Sequence, residues 1–301
     1  LLEQKPGSDF DVSVFGLGAM GTIVARTLSD RGKRVAAWNR SPGKGEGLRA
    51  SGVHICDTSE MALKVSPVSI FVMLNSQAAR ETLEALRATG ALAGRTIVNY
   101  SSGSTEESRE LYALVAGAGG RYVKGTIMAY PRSIGHPESY CIHSGDAEAF
   151  EDHRALLELL AGHVIFLPFQ EAQAFATAIN AQTFTAMLSF FEVVGAADHM
   201  GLPVAQTARR IKEASRFFIA DALEDAVHRF EGAGFAGDQA TIDTHAAGFA
   251  YIREYMTSQG ASTPIFDAVC EVARSAQREG HGQADIAATT KVFAPDAVIP
   301  L

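Results

Sequence analysis

Near the start of the chain, the apolar run Val12-Ser-Val-Phe15 leads directly into Gly16-Leu-Gly18-Ala-Met-Gly21, and a helical pattern covers Ala19–Arg31. A G-x-G-x-x-G run between a strand and a helix restricts the fold more than any other feature of this sequence. Gly16 permits the tight turn, Gly18 lets backbone approach a pyrophosphate, and Gly21 allows close packing of helix on strand. The helix N-terminus then faces the phosphates. The run predicts a dinucleotide site at the first βα turn, with Leu17, Ala19 and Met20 completing the loop.

The rest of the N-terminal half fits that start. Short β-rich runs alternate with helical patterns: Val12–Phe15, Arg34–Trp38, Val53–Cys56, Val68–Leu74, Thr96–Tyr100, Tyr122–Met128, Tyr140–His143 and Val164–Leu167. Such alternation implies an α/β fold with a parallel sheet covered on both faces. Ser104-x-x-Glu107 is a capping box that opens one of the helices. Gly43, Gly45 and Gly47 lower helix propensity in the second crossover, which reads as partly loop.

After Pro168 the strand signals stop, and an all-α region is expected. A helix from about Gln170 to Met200 comes first, Pro203 opens another, and further helical runs cover Gln239–Ser258, Pro264–Arg278 and Ala284–Val292. The expected organisation is a lead-in at 1–9, read as disordered and not as a signal peptide. A Rossmann domain follows at 10–168, an inter-domain helix at 169–200 and a helical domain for dimerisation and substrate at 201–301. No charged residue occurs between Ala172 and Phe191. Gln173, Asn180 and Gln182 inside that stretch argue for burial in protein and against lipid. A helix of roughly 30 residues spans about 45 Å. A helical domain of this size cannot cover such an apolar rod alone, so an intertwined homodimer is expected.

Charge and composition exclude other classes. With 47% hydrophobic and 20% charged residues the chain is not a disordered one, and a net charge of −8 without a basic stripe argues against nucleic acid. Cys56, Cys141 and Cys270 are odd in number and widely spaced. That favours a reducing cytoplasm over a disulfide framework, and no cluster has metal-ligand spacing.

The second strand ends in Trp38-Asn39-Arg40-Ser41, with Lys44 nearby and no carboxylate. NAD sites usually place Asp or Glu there for the ribose hydroxyls. Arg40, Ser41 and Lys44 suit a 2′-phosphate, so NADPH is the expected cofactor. Leu74 and Asn75 at the end of the fourth strand, and Asn99 and Ser101 at the end of the fifth, complete the expected cofactor contacts.

Phe15–Gly21 and Trp38–Ser41 resemble the β-hydroxyacid dehydrogenase superfamily. More narrowly, Val98–Ser104, Gly125–Pro131, Ile134–Glu138 and Gly280-His-Gly282 resemble the imine reductase and reductive aminase family, with similarity from about Phe10 to Phe293. That resemblance implies an NADPH-dependent C=N reductase acting on an imine, or on a ketone plus an amine. It also implies a reciprocally swapped dimer whose active site lies between one subunit's Rossmann domain and the other's helical domain.

By the same resemblance, Ala176 occupies the position of the superfamily's catalytic Lys, for which imine reductases often carry Asp or Tyr. Asn180 matches an Asn of the dehydrogenases, and Phe184 stands where reductive aminases carry Tyr. Oxidising an alcohol calls for a positioned base. An iminium ion calls chiefly for proximity and orientation. Ala176 therefore weakens a 3-hydroxyacid dehydrogenase reading. Together with Phe184 it leaves open a protein that binds NADPH without turnover, as a sensor or partner. Asn99 is the leading candidate for contacting the substrate nitrogen, with Asn180 second. Phe184, Phe217 and His245 are candidates for an apolar pocket wall. Lys124 replaces the family's usual Asp. It reads as a surface or ion-paired lysine, with a charge at the pocket rim as the other reading.

Overall fold

The computed structural model describes residues 9–295, and the expected lead-in lies outside them but for Asp9. The chain divides into two compact units, Leu1–Asn180 and Ala181–Leu301.

The first unit is built on an eight-stranded sheet. In chain order its elements are β1 (Val12–Phe15), α1 (Ala19–Asp30), β2 (Val35–Trp38), α2 (Glu46–Arg49), β3 (His54–Ile55), α3 (Ser59–Lys64), β4 (Val68–Phe71), α4 (Ser76–Ala88), β5 (Thr96–Asn99), α5 (Thr105–Ala116), β6 (Arg121–Met128), β7 (Tyr140–Gly145), α6 (Ala147–Leu157) and β8 (His163–Phe166). The strand order is β3-β2-β1-β4-β5-β6-β7-β8. The order reverses beside β1, the topological switch point where α/β sheets bind ligands. One expectation needs correcting. β6 and β7 pair antiparallel, and the other neighbours are parallel. The link between them, 129–139, holds a single 3-10 turn at Pro131–Ser133. That is too short for the helix a parallel crossover needs.

Alternation along β1 sets the layers. Val12 and Val14 enter one apolar cluster, with Val24 and Leu28 of α1. Phe15 enters the other, where its ring stacks on Phe71 at 4.4 Å. Ser13 is fully buried and exchanges hydrogen bonds with Ser69 (2.7 Å) and Ser66 (3.0 Å). The glycine-rich second crossover retains only the single turn of α2. The capping box at Ser104 and Glu107 forms as its spacing implies.

α7 (Phe169–His199) runs across the division between the units. The second unit continues with α8 (Val204–His228), α9 (Ile242–Ser258), α10 (Pro264–Arg278) and α11 (Thr290–Phe293). α8 ends in a π-turn, Arg229–Ala233, where Gly232 takes φ +125. Arg229 is buried there and pairs with Asp225 (2.6 Å), Asp238 (2.7 Å) and Asp285 (3.5 Å). Glu192 of α7 accepts from the backbone N–H groups of Ile265 (2.7 Å) and Phe266 (2.9 Å), and so caps α10. α8 buries none of its residues, and Phe217 and Phe218 are 75% and 70% exposed.

Candidate functional site

The glycine loop has the shape its sequence requires. Gly16 sits at φ +93, and a Cβ there would lie 2.4 Å from the Val72 carbonyl oxygen. A Cβ on Gly21 would lie 1.8 Å from the Gly16 oxygen, so only glycine lets α1 pack this close to β1. Gly18 behaves differently: a Cβ there meets nothing within 4 Å. It is also the N-cap of α1 and contributes no side-chain cap. The first N–H groups of α1 therefore lack a side-chain acceptor, beside open space. That is the donor set and the partial positive charge a pyrophosphate needs. Asn39 braces this loop. Its Oδ1 accepts from Leu17 N (2.9 Å), and its Nδ2 donates to the Ser41 carbonyl (2.9 Å). Arg40, Ser41 and Lys44 are exposed at the end of β2. Among the described residues Arg40 pairs with Glu81 alone, a solvent-facing contact at 3.6 Å that contributes little and leaves the guanidinium available. These residues fit a dinucleotide.

At the ends of β4 and β5 the polar side chains serve the protein itself. Leu74 is 87% exposed, and Asn75 caps α4 by accepting from Ala78 N (2.9 Å). Ser101 is buried, and its Oγ accepts from Met73 N (3.0 Å). Asn99 is fully buried, its Nδ2 donating to Tyr122 Oη (3.0 Å) and its Oδ1 accepting from Ser101 N (3.0 Å). Its amide holds the bend after β5. On the other face Tyr100 meets His143 Nε2 at 2.7 Å. Burial drives the His143 imidazole down to about 3 and raises the Tyr100 phenol well above its usual range. Gly125 lies against the Tyr100 ring, where a Cβ would come within 2.2 Å of a ring carbon.

The preferred reading of Lys124 is overturned. It is 8% exposed, and among the described residues it forms no ion pair. Its Nζ donates to the carbonyls of Gly125 (2.5 Å), Ser101 (3.1 Å) and Asn99 (3.4 Å). Burial draws its pKa down to about 8. It lines a small polar cavity with Thr105, Ser108, Thr126, Ser144 and Gln173, with room for about one water molecule. Strand alternation carried the signal for this position. Lys124 lies two residues beyond the buried Tyr122 and so shares its face of β6.

On α7, Ala176 is 3% exposed and packs with Ile142 and Ala172, while Asn180 is exposed. In the second unit Phe184 is 52% exposed. His245 is half-buried, its ring 5.7 Å from Phe249. Among the described residues no group of His, Cys, Asp or Glu is arranged to hold a metal, and no helix is long and apolar enough to cross a membrane.

Residues 11–167 match the NAD binding domain of 6-phosphogluconate dehydrogenase. Residues 170–295 match the C-terminal domain of the NADPH-dependent reductive aminase-like proteins. An NADPH-dependent reductive aminase from Aspergillus oryzae is 33% identical over 150 residues, which is 48% of this chain. The match spans about half the length of that curated relative, 50%. Two solved structures align along nearly their whole length. One, described only as an oxidoreductase of Pseudomonas putida KT2440, is 56% identical with a TM-score of 0.92, covering 97% of this chain and 99% of that one. An imine reductase from Pseudomonas sp. is 30% identical with a TM-score of 0.85, covering 94% and 99%. With an NAD(P)-binding sheet whose glycine loop fits a dinucleotide, and a helical half of reductive aminase type, this chain belongs to the imine reductase and reductive aminase family of NAD(P)-dependent oxidoreductases.

Proposed function

We propose that the protein reduces C=N bonds with NADPH, converting cyclic imines or iminium ions to amines and, with ketone and amine together, carrying out reductive amination. The observation that carries this reading is the apolar packing of Ala176 against the sheet. The inter-domain helix offers no base there to take a hydroxyl proton, which alcohol oxidation would require. An iminium ion is already electrophilic and needs a fixed approach to the hydride donor.

NADPH supplies the hydride when bound. The chain's own part is to hold and orient. The N–H groups of the α1 first turn and the open face of Gly18 suit the pyrophosphate. Arg40, with Ser41 and Lys44, suits the 2′-phosphate, since the end of β2 carries no carboxylate to repel it. Asn39 and Asn99 act from behind, fixing the loops after β2 and β5. Phe184, Phe217 and His245 serve as pocket-wall residues, and Asn180 as a polar contact from α7. The uncovered apolar side chains of α7 and α8 are completed by a second copy of the chain in an intertwined homodimer.

The test follows absorbance at 340 nm with purified protein, NADPH and a panel of cyclic imines. Consumption of NADPH with formation of the matching amine is expected. Tight NADPH binding with no turnover across the panel would identify a non-catalytic NADPH-binding protein. Oxidation of 3-hydroxy acids with NADP would identify a hydroxyacid dehydrogenase.

A further inference from the structure

Lys124 is a buried cation whose only described partners are three backbone carbonyls. The acceptors come from two strands. Gly125 belongs to β6, Asn99 is the last residue of β5, and Ser101 lies beyond the final ladder pair, Asn99 with Lys124. Past that pair the β5–β6 ladder ends, and the chain is tied on its other side to β4, where Tyr100 N donates to the Phe71 carbonyl (2.8 Å). A protonated amine has three N–H donors, matching three acceptors, whereas a neutral amine has two. Hydrogen bonds from a charged donor are roughly twice as strong as neutral ones.

We propose that Lys124 is a positioning residue: its ammonium clamps the Asn99–Ser101 turn onto β6 and thereby sets where the nicotinamide end of the cofactor rests. The inference rests on the function proposed above, with the nicotinamide half of NADPH taken to lie beyond the C-terminal end of β5, where open α/β sheets bind ligands. Three side chains of the turn tie it to neighbouring elements. Ser101 Oγ holds the end of β4, Asn99 holds Tyr122, and Tyr100 holds His143. The clamp therefore joins the one segment shared by β4, β5 and β6 at the C-terminal edge of the sheet. The thin polar cavity beside it, lined by Thr126, Ser144 and Gln173, leaves the amine little room for any other partner. Burial holds the lysine near 8, still mostly protonated at neutral pH.

The experiment compares wild type, Lys124→Met and Lys124→Arg as full-length holoproteins. The clamp acts at the nicotinamide and not at the 2′-phosphate. Lys124→Met should therefore lower kcat by roughly 10- to 100-fold, the range expected for a small misplacement of reacting groups. KM for NADPH should stay within about threefold, because Arg40 and the glycine loop remain intact. The primary isotope effect with 4-deuterated NADPH should rise as hydride transfer becomes limiting, and Lys124→Arg should restore most of kcat. A second readout needs no turnover. At saturating NADPH, the fluorescence gained by the reduced nicotinamide on binding should be largely lost in Lys124→Met while Kd is nearly kept. Wild-type kcat and wild-type emission in Lys124→Met would overturn the proposal. So would a parallel fall in affinity and kcat that arginine does not rescue, which marks a purely structural lysine. If Lys124→Met does not fold, Lys124→Gln is read in the same two assays. The emission comparison decides the inference even where wild type binds NADPH and reduces no imine.

Discussion

The sheet of the first unit and helix α8 of the second are both rich in apolar side chains, and they treat them in opposite ways. Val12, Val14, Phe15, Ile70 and Phe71 are wholly buried between two layers of helices. On α8, Phe217, Phe218, Ile219, Leu223 and Val227 are each more than half exposed. The sheet completes its own core, down to the paired serines between β1 and β4. α8 has no such completion: none of its residues is buried. The difference teaches that the first half of the sequence satisfies its apolar side chains within itself, whereas α8 leaves its own uncovered, as the proposed dimer requires.

The largest expected effect breaks the second half and spares the first. Phe217→Glu with Leu223→Glu places two charges on the proposed dimer face. Burying a large apolar side chain contributes about 1.5–3 kcal/mol, and an unpaired buried charge costs more. The pair should weaken association at least about 1,000-fold, halving the mass in sedimentation velocity at micromolar concentration. NADPH binding by the first unit should change by less than about threefold. An unchanged dimer would show that α8 is covered in some other way.

A smaller effect sharpens the comparison within the first half. Arg40→Ala removes a charged donor, and hydrogen bonds to charged groups contribute about 1.5–3 kcal/mol. KM for NADPH should rise roughly 10- to 100-fold, with KM for NADH within about twofold. Equal rises for both cofactors would remove Arg40 from the 2′-phosphate site. The loss of NADPH affinity, read as Kd, should be the same in the α8 double variant, since Arg40 and the glycine loop lie in one unit.

Much of this architecture was legible in the residues, because local rules settle it. Glycine at positions 16 and 21 is dictated by close backbone approach, and Pro264 opens its helix at the expected residue. The direction of β7 was not legible from alternation alone. It depends on the short 129–139 link, whose single 3-10 turn leaves no room for a crossover. The glycine loop is sequence-local, so its conformation follows from its pattern, and Arg40, Ser41 and Lys44 lie exposed at the end of β2, where the sequence puts them. Asn99 and Asn75 read as ligand contacts because amides at strand ends often are; the oxygen of each also accepts from a neighbouring backbone N–H, a role that the strand-end pattern does not announce. Lys124 looked like a surface charge because lysine rarely enters a core. Its partners are carbonyls, which leave no trace in side-chain identity.

The smallest effect probes the closed half at a fully buried titratable group. His143 Nδ1 lies 3.3 Å from the Ile165 carbonyl, an acceptor, so the ring proton belongs on Nδ1. Nε2 then accepts from the Tyr100 hydroxyl at 2.7 Å. Both bonds are made by neutral imidazole, and burial holds its pKa near 3 against 6.5 in the unfolded chain. Because the folded value is depressed, the native state stays unprotonated while the unfolded state gains a proton below about pH 6.5. Stability from this group is complete above that pH and declines as pH falls from about 6.5 toward 3, by about 1.4 kcal/mol per unit. At pH 5.5 the folding equilibrium should be roughly tenfold less favourable than at pH 7.5 on this account. His143→Phe removes the titrating ring and should flatten the dependence of the urea midpoint between those two pH values, although it lowers stability at both. Equal slopes in wild type and His143→Phe would mean that the imidazole takes up its proton inside the fold, and that the sheet core is less closed than α8 is open.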